Sequence, residues 1–183
     1  MIFSERFKSF IKNNHDLINR ELWDSLYDTF KYSGCAENVK KLTNLLNSIG
    51  VDPLQTMSYV PMGYLKGDKD VKELILRDNP KIKKVGQFAF NECSNLEYVE
   101  FAEGLEVIDL GAFMACSNLE QVYLPSTLKG IGNGAFNCCY SLKEVYFGGT
   151  MNEWLEVGQN QTVFSNVPAR KISCIDGLVR LRK

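Results

Sequence analysis

One histidine, His15, stands in a chain of 183 residues. A site built on paired imidazoles is thereby excluded, and no motif sets a serine or cysteine beside His15 as a nucleophile. Opening a helical stretch in polar surroundings, His15-Asp16 reads as a helix cap. The six cysteines include no Cys-x-x-Cys spacing, which removes the usual basis for structural zinc. No apolar run reaches the roughly 18–20 residues that a membrane-crossing helix needs. The opening MIFSERFKSFIKNN lacks the basic-then-apolar order of a secretory signal, so a soluble, cytoplasmic chain with reduced thiols is expected. A net charge of −1 gives no general pull toward nucleic acid or an anionic membrane. From Val85 to Leu128 there is no lysine or arginine, against seven acids: Glu92, Glu97, Glu100, Glu103, Glu106, Asp109 and Glu120.

What the chain does have is a pattern written three times between Val85 and Phe147. It reads VGQFAFNECSNLEYVEF, IDLGAFMACSNLEQVYL and IGNGAFNCCYSLKEVYF. Ala89-Phe90, Ala112-Phe113 and Ala135-Phe136 keep a period of 23 residues. In step with them run Cys93, Cys116 and Cys139; Leu96, Leu119 and Leu142; and Val99, Val122 and Val145. A fixed period of this length marks a solenoid whose units bury their apolar faces only by stacking. Three of the cysteines thus occupy equivalent, superposed sites, where small buried thiols fit better than disulfides or metal ligands.

Residues 1–56 carry helical periodicity instead. Phe3, Phe7, Phe10 and Ile11 form one stripe; Leu22, Trp23, Leu26, Tyr27 and Phe30 form a second. Val39, Leu42, Leu45, Leu46 and Ile49 form a third, ending at Gly50 before Pro53. The expectation is a small helical domain over 1–56 that docks on the first repeat and caps its open end. A repeat domain over 57–183 follows. It holds a degenerate entry repeat (59–84), repeats 85–107, 108–130 and 131–153, and a C-terminal cap (154–183). In the entry repeat Val71, Leu74 and Leu76 match Leu96, Val99 and Phe101, with a link to the next unit two residues longer than the regular one. The fold expected is α+β: a short leucine-rich solenoid with one strand per repeat.

The third unit holds Gly130-Ile131-Gly132-Asn133-Gly134, superficially a phosphate loop. Gly132 aligns with Gly86 and Ala135-Phe136 follows, so the repeat accounts for these glycines without a nucleotide.

These units resemble BspA-type leucine-rich repeats, whose pattern is roughly Ile-Gly-x-x-Ala-Phe-x-x-Cys-x-x-Leu-x-x-Val-x-Leu-Pro. Leu124-Pro125 keeps the final Leu-Pro, whereas Phe101-Ala102 and Phe147-Gly148 depart from it. Phe147-Gly148-Gly149-Thr150-Met151-Asn152-Glu153-Trp154 is similar to the family's closing Tyr-x-Gly-Thr-x-x-x-Trp, and Cys174-Ile175-Asp176-Gly177 to its final Cys-x-Asp-Gly. The resemblance covers about residues 60–183 and implies a protein-binding scaffold with no catalytic residues and no cofactor. Family members are best known as surface proteins that bind host or matrix proteins. The segment leading into Tyr59-Val60-Pro61 loosely resembles leaders of phage-encoded repeat proteins, which implies an inhibitor of a host factor such as a defence nuclease.

By register, the residues between the inward columns line the sheet face: Glu97, Tyr98 and Glu100; Glu120, Gln121 and Tyr123; Lys143, Glu144 and Tyr146. The entry repeat adds Lys72, Glu73 and Ile75. Tyrosines mixed with charge on a rigid sheet make a protein-binding surface, since aromatic rings anchor and charges select. The partner expected is another protein, one with a basic surface; neither a membrane nor nucleic acid is implied. The alternative is a structural, surface or virion/assembly component, adhesin-like, that uses its repeats for self-association or attachment to a host protein.

Overall fold

The computed structural model describes residues 36–48, 50, 52–55, 57–159 and 162–181, together with Ser9 and Asn13. The first two helical stripes and the His15-Asp16 cap lie outside the described residues. The third stripe is helix α1 (Ala36–Ser48), in which Leu42 and Leu46 are wholly buried. Gly50 ends that turn with φ +80°, its N–H donating to Asn47 O at 3.0 Å. Asp52 Oδ1 then accepts from Leu54 N at 3.0 Å and starts a 3-10 turn at Pro53–Gln55. Leu42 and Leu46 share one apolar core with Met57 and with Tyr64 and Leu65 of the entry repeat, so α1 packs on the solenoid.

From Tyr59 onward, short and long strands alternate: β1 (Tyr59–Val60), β2 (Glu73–Leu76), β3 (Lys84–Val85), β4 (Tyr98–Phe101), β5 (Val107–Ile108), β6 (Gln121–Leu124), β7 (Gly130–Ile131) and β8 (Glu144–Phe147). Helix α2 (Met151–Glu156) intervenes before β9 (Gly158–Gln159), β10 (Lys171–Cys174) and β11 (Gly177–Arg180). The long strands form one sheet in the order β11-β10-β8-β6-β4-β2, parallel except for the β10–β11 hairpin; the short ones form a second parallel sheet, β1-β3-β5-β7-β9. The expected strand is present in every repeat, and the structure adds a second, two-residue strand that the repeat pattern does not announce. Leu74 pairs with Val99 and Leu76 with Phe101, as the entry-repeat alignment requires.

The core is a set of columns. Phe90, Phe113, Phe136 and Phe164 stack with centroids 5.0, 5.3 and 5.4 Å apart and ring planes within 11°. Tyr64 meets Phe90 edge-on at 6.1 Å at one end. At the other, Trp154 meets Phe147 edge-on at 5.2 Å and lies 6.4 Å from Phe164. Gly86 and Gly132 are needed for another reason. A Cβ there would lie 2.7 Å from Val60 O and 2.5 Å from Leu110 N, so neighbouring turns approach too closely for a side chain. Close approach thus accounts for the central glycine of the run, while Gly134 adopts φ +62°.

The closing segment continues both ladders, β9 on β7 and β10 on β8. Phe164 takes the phenylalanine site, 28 residues after Phe136 in place of 23, because α2 is inserted between. The two closing motifs meet here. Thr150 caps α2 in a reciprocal box with Glu153, and Asp176 Oδ1 accepts from Met151 N at 2.7 Å. The Glu153 carboxyl is held below the usual carboxylate range by the Thr150 backbone N–H and hydroxyl it accepts from.

Candidate protein-binding face

Strand pairing arranges the outward residues in rows across the turns. Glu73, Tyr98, Gln121 and Glu144 are in register in one row. Ile75, Glu100, Tyr123, Tyr146 and Ser173 make the next. Glu97, Glu120 and Lys143 sit just before their strands and stack through backbone bonds: Glu120 N donates to Glu97 O at 2.8 Å, and Lys143 N to Glu120 O at 3.0 Å. All nine of the residues expected on this face are half-buried or exposed, while the Val and Phe/Leu positions between them point into the core.

Tyr98 lies in a different row from Tyr123 and Tyr146, yet the three rings touch. Tyr123 and Tyr146 stack at 4.4 Å and 11°, and Tyr98 reaches diagonally to Tyr123 at 5.5 Å and 46°. Carboxylates hold the two outer hydroxyls: Tyr98 OH donates to Glu100 Oε2 at 3.0 Å, and Tyr146 OH to Glu144 Oε2 at 2.8 Å. Burial, aided by the bond to Glu100, pushes the Tyr98 hydroxyl up to about 12. For Tyr146 the bond to Glu144 comes first and burial second, with the same result, about 12. Both phenols therefore stay neutral donors across the physiological range.

The acidic middle is less bare than the sequence implies. Bases from neighbouring turns reach over it: Arg77 to Glu100 at 3.5 Å, Lys84 to Asp109 at 2.9 Å, Lys129 to Glu106 at 2.8 Å and Lys143 to Glu120 at 3.9 Å. Lys129 pulls the Glu106 carboxyl below its ordinary range. Glu103 instead accepts from Ser126 N at 3.1 Å and Ser126 Oγ at 2.9 Å.

An open groove of about 320 Å³ runs along the exits of β4, β6, β8 and β10. Tyr123 and Tyr146 form one wall; Glu100, Glu103, Pro125, Gly148, Ser173 and Ile175 contribute the rest of its polar and apolar rim. Ser173 and Ile175 were not legible as face residues. Ser173 in β10 and Ile175 just after it sit in the closing segment, out of the 23-residue period, and only the Cys-x-Asp-Gly motif marks them. Among the described residues, no group of three or more His, Cys, Asp or Glu is placed to hold a metal ion, and no helix is long and apolar enough to cross a membrane.

The chain is similar to a crystal structure of the T. pallidum Leucine Rich Repeat protein, TpLRR, at 28% identity, covering 50% of this chain and 42% of that one, with a TM-score of 0.47. It is also similar to a leucine rich cell surface protein of Faecalibacterium prausnitzii A2-165, at 20% identity over 56% of this chain and 33% of that one, with a TM-score of 0.37. The chain spans less than half the length of either. No curated protein sequence matches it. The model of the BspA type Leucine rich repeat region matches residues 46–169 in six copies, from within α1 through the closing turn. The chain therefore belongs to the BspA-type leucine-rich repeat family.

Proposed function

We propose that the chain is a non-enzymatic protein-binding module that engages its partner through the outward rows of the six-stranded sheet. The observation that carries this reading is the unbroken contact of Tyr98, Tyr123 and Tyr146 on a rigid parallel scaffold. Rings fixed in place before binding lose little conformational freedom when a partner covers them. Glu97, Glu120, Gln121, Lys143 and Glu144 form the polar rim around that anchor. Residues 1–56 act in this reading as a helical cap on the open edge.

The partner we infer presents a basic surface. Glu97, Glu103 and Glu144 form no ion pair among the described residues, so the face keeps an acidic surplus after its internal pairing. A narrower form of the reading makes the chain a mobile-element inhibitor that covers the basic groove of a host defence nuclease. Its support is that surplus together with the resemblance of the leader.

The test is a triple Tyr98→Ala, Tyr123→Ala, Tyr146→Ala variant, compared with the parent for capture of partners from host lysate. Loss of the captured proteins with folding intact is expected; an unchanged set sinks the face as the site. Self-association is favoured by one observation, the sheet edge at β11 with Leu178 54% exposed. Light scattering that finds only monomer at high concentration removes it.

A further inference from the structure

The aromatic row is one ring short. Along Ile75, Glu100, Tyr123, Tyr146 and Ser173, two stacked rings are followed by a serine, which covers nothing of the next layer. Adjacent strands lie roughly 4.7–4.9 Å apart, so the place beside Tyr146 and above Ser173 has the thickness of one planar group. The groove opens there, and Ile175, 72% exposed, forms its apolar lip.

A carboxylate is fixed across the same space. Glu103 leaves β4 and reaches past β6, where Ser126 N and Ser126 Oγ hold one oxygen each. A Cβ on Gly148 would stand 3.3 Å from Glu103 Oε1, a tight contact, so the glycine at the exit of β8 spares the carboxylate crowding. Each carboxylate oxygen keeps acceptor capacity beyond its bond to Ser126. No lysine or arginine lines the groove among the described residues. The one cation paired with a groove residue among them, Arg77 on Glu100, comes from the β2 side, so at the β8–β10 end a ring face with no aromatic neighbour beyond it and an oriented carboxylate call for a flat cation.

On the reading that the face binds a protein, we propose that this end of the groove seats one arginine side chain of an extended partner segment. Its guanidinium stacks on Tyr146 over Ser173, and two of its N–H groups face Glu103. Lysine suits the place less well, because its ammonium is a strongly hydrated point charge that neither stacks nor matches a carboxylate in two bonds. The donation from Tyr146 OH to Glu144 enriches the ring in electron density and strengthens its attraction for the cation.

A displayed library of short random peptides is selected on the full chain, and enriched peptides are then measured by fluorescence anisotropy. Two variants probe the seat: Glu103→Gln removes the charge, and Ser173→Tyr fills the vacant layer with the protein's own ring. The enriched peptides are expected to share an arginine. Both variants, and an arginine-to-lysine change in the peptide, are expected to weaken binding by about 3- to 30-fold, the range from an exposed to a desolvated cation–π contact. Circular dichroism melting of each variant must match the parent for the comparison to stand. Peptides without arginine that lose binding on Tyr123→Ala with Tyr146→Ala would overturn the arginine seat and leave the face. Peptides indifferent to both sets of variants, or no enriched peptide at all, would overturn the face and the seat together.

Discussion

Cys116 Sγ donates to the backbone carbonyl of Phe90, one turn earlier, at 3.1 Å. Cys93 does the same to Leu65 O and Cys139 to Phe113 O, each at 3.1 Å. The cysteine column is thus a hydrogen-bonded seam that adds a second bond to carbonyls already accepting a backbone N–H where the chain turns between the sheets. All three thiols are fully buried, and the Cys116 thiol is pushed up by its neighbour Cys139 and then by burial. Thiolate, the reactive form, is disfavoured at Cys116. Alkylation of the native protein followed by mass spectrometry should label the half-buried Cys138 and Cys174 before Cys93, Cys116 or Cys139. Equal labelling of all five would show that the seam opens readily.

Backbone strain is also distributed in columns. Glu92, Ala115, Cys138 and Asn166 occupy equivalent sites with φ near +60°, where a Cβ is crowded; Gly67 fills that site in the entry repeat. Ala115→Gly relieves the strain while adding freedom to the unfolded chain, and should leave stability unchanged or raise it by about 1 kcal/mol. Gly132→Ala should do the reverse. Its Cβ would meet backbone of the preceding turn at 2.5 Å, and overpacking of that kind costs about 1–3 kcal/mol. Urea denaturation of the two variants checks the opposite signs.

Two tyrosines should resist ionisation most strongly. The chain has eight, and Tyr98 and Tyr146 are raised to about 12 by burial and by donation to Glu100 and Glu144. A folded pKa above the unfolded value near 10 means the native state holds these protons more tightly. Their contribution to stability is present in full below pH 10 and is lost as pH climbs toward 12. Spectrophotometric titration of tyrosinate should show a late fraction that shrinks in Tyr98→Phe and again in Tyr98→Phe with Tyr146→Phe. A single transition near 10 in the parent would contradict it.

The scaffold was legible because its columns are chemical. Phe90, Phe113 and Phe136 repeat at 23 residues since each ring must stack on the last, and Leu74 aligned with Val99 despite a longer link because both are inward strand residues. The two-residue strands were not legible. At Val107–Ile108 and Gly130–Ile131 the pairing lies in backbone bonds, which accept valine or glycine alike. The last turn was hidden by α2, whose insertion moved Phe164 out of period, although it stacks like the others.

The face was legible in membership and not in geometry. The 23-residue period already sets Tyr98 level with Gln121, but it does not show that the Tyr98 ring reaches diagonally to Tyr123. The bare acidic stretch was a property of sequence order. Folding brings Arg77 and Lys84 from before it and Lys129 and Lys143 from after it within ion-pair reach. These pairs are mostly exposed and contribute little stability individually; their effect is on what charge a partner meets.

The closing turn should fail first and alone when its lid is cut. Trp154 is buried between Phe147 and Phe164, and α2 is held at its start by Thr150, Glu153 and Asp176. Removing a buried tryptophan costs about 3–5 kcal/mol, while losing a helix cap costs about 1 kcal/mol. In a stacked array each turn contacts only its neighbours, so the loss should stay near β9, β10 and β11. Hydrogen exchange on Trp154→Ala is therefore expected to speed the β10 and β11 amides strongly while those of β4 and β6 keep most of their protection. Asp176→Ala should show the same pattern, more weakly. Uniform loss of protection across β4, β6 and β10 in Trp154→Ala would mean that the solenoid unfolds as one unit, and that Trp154 supports the whole stack rather than its last turn.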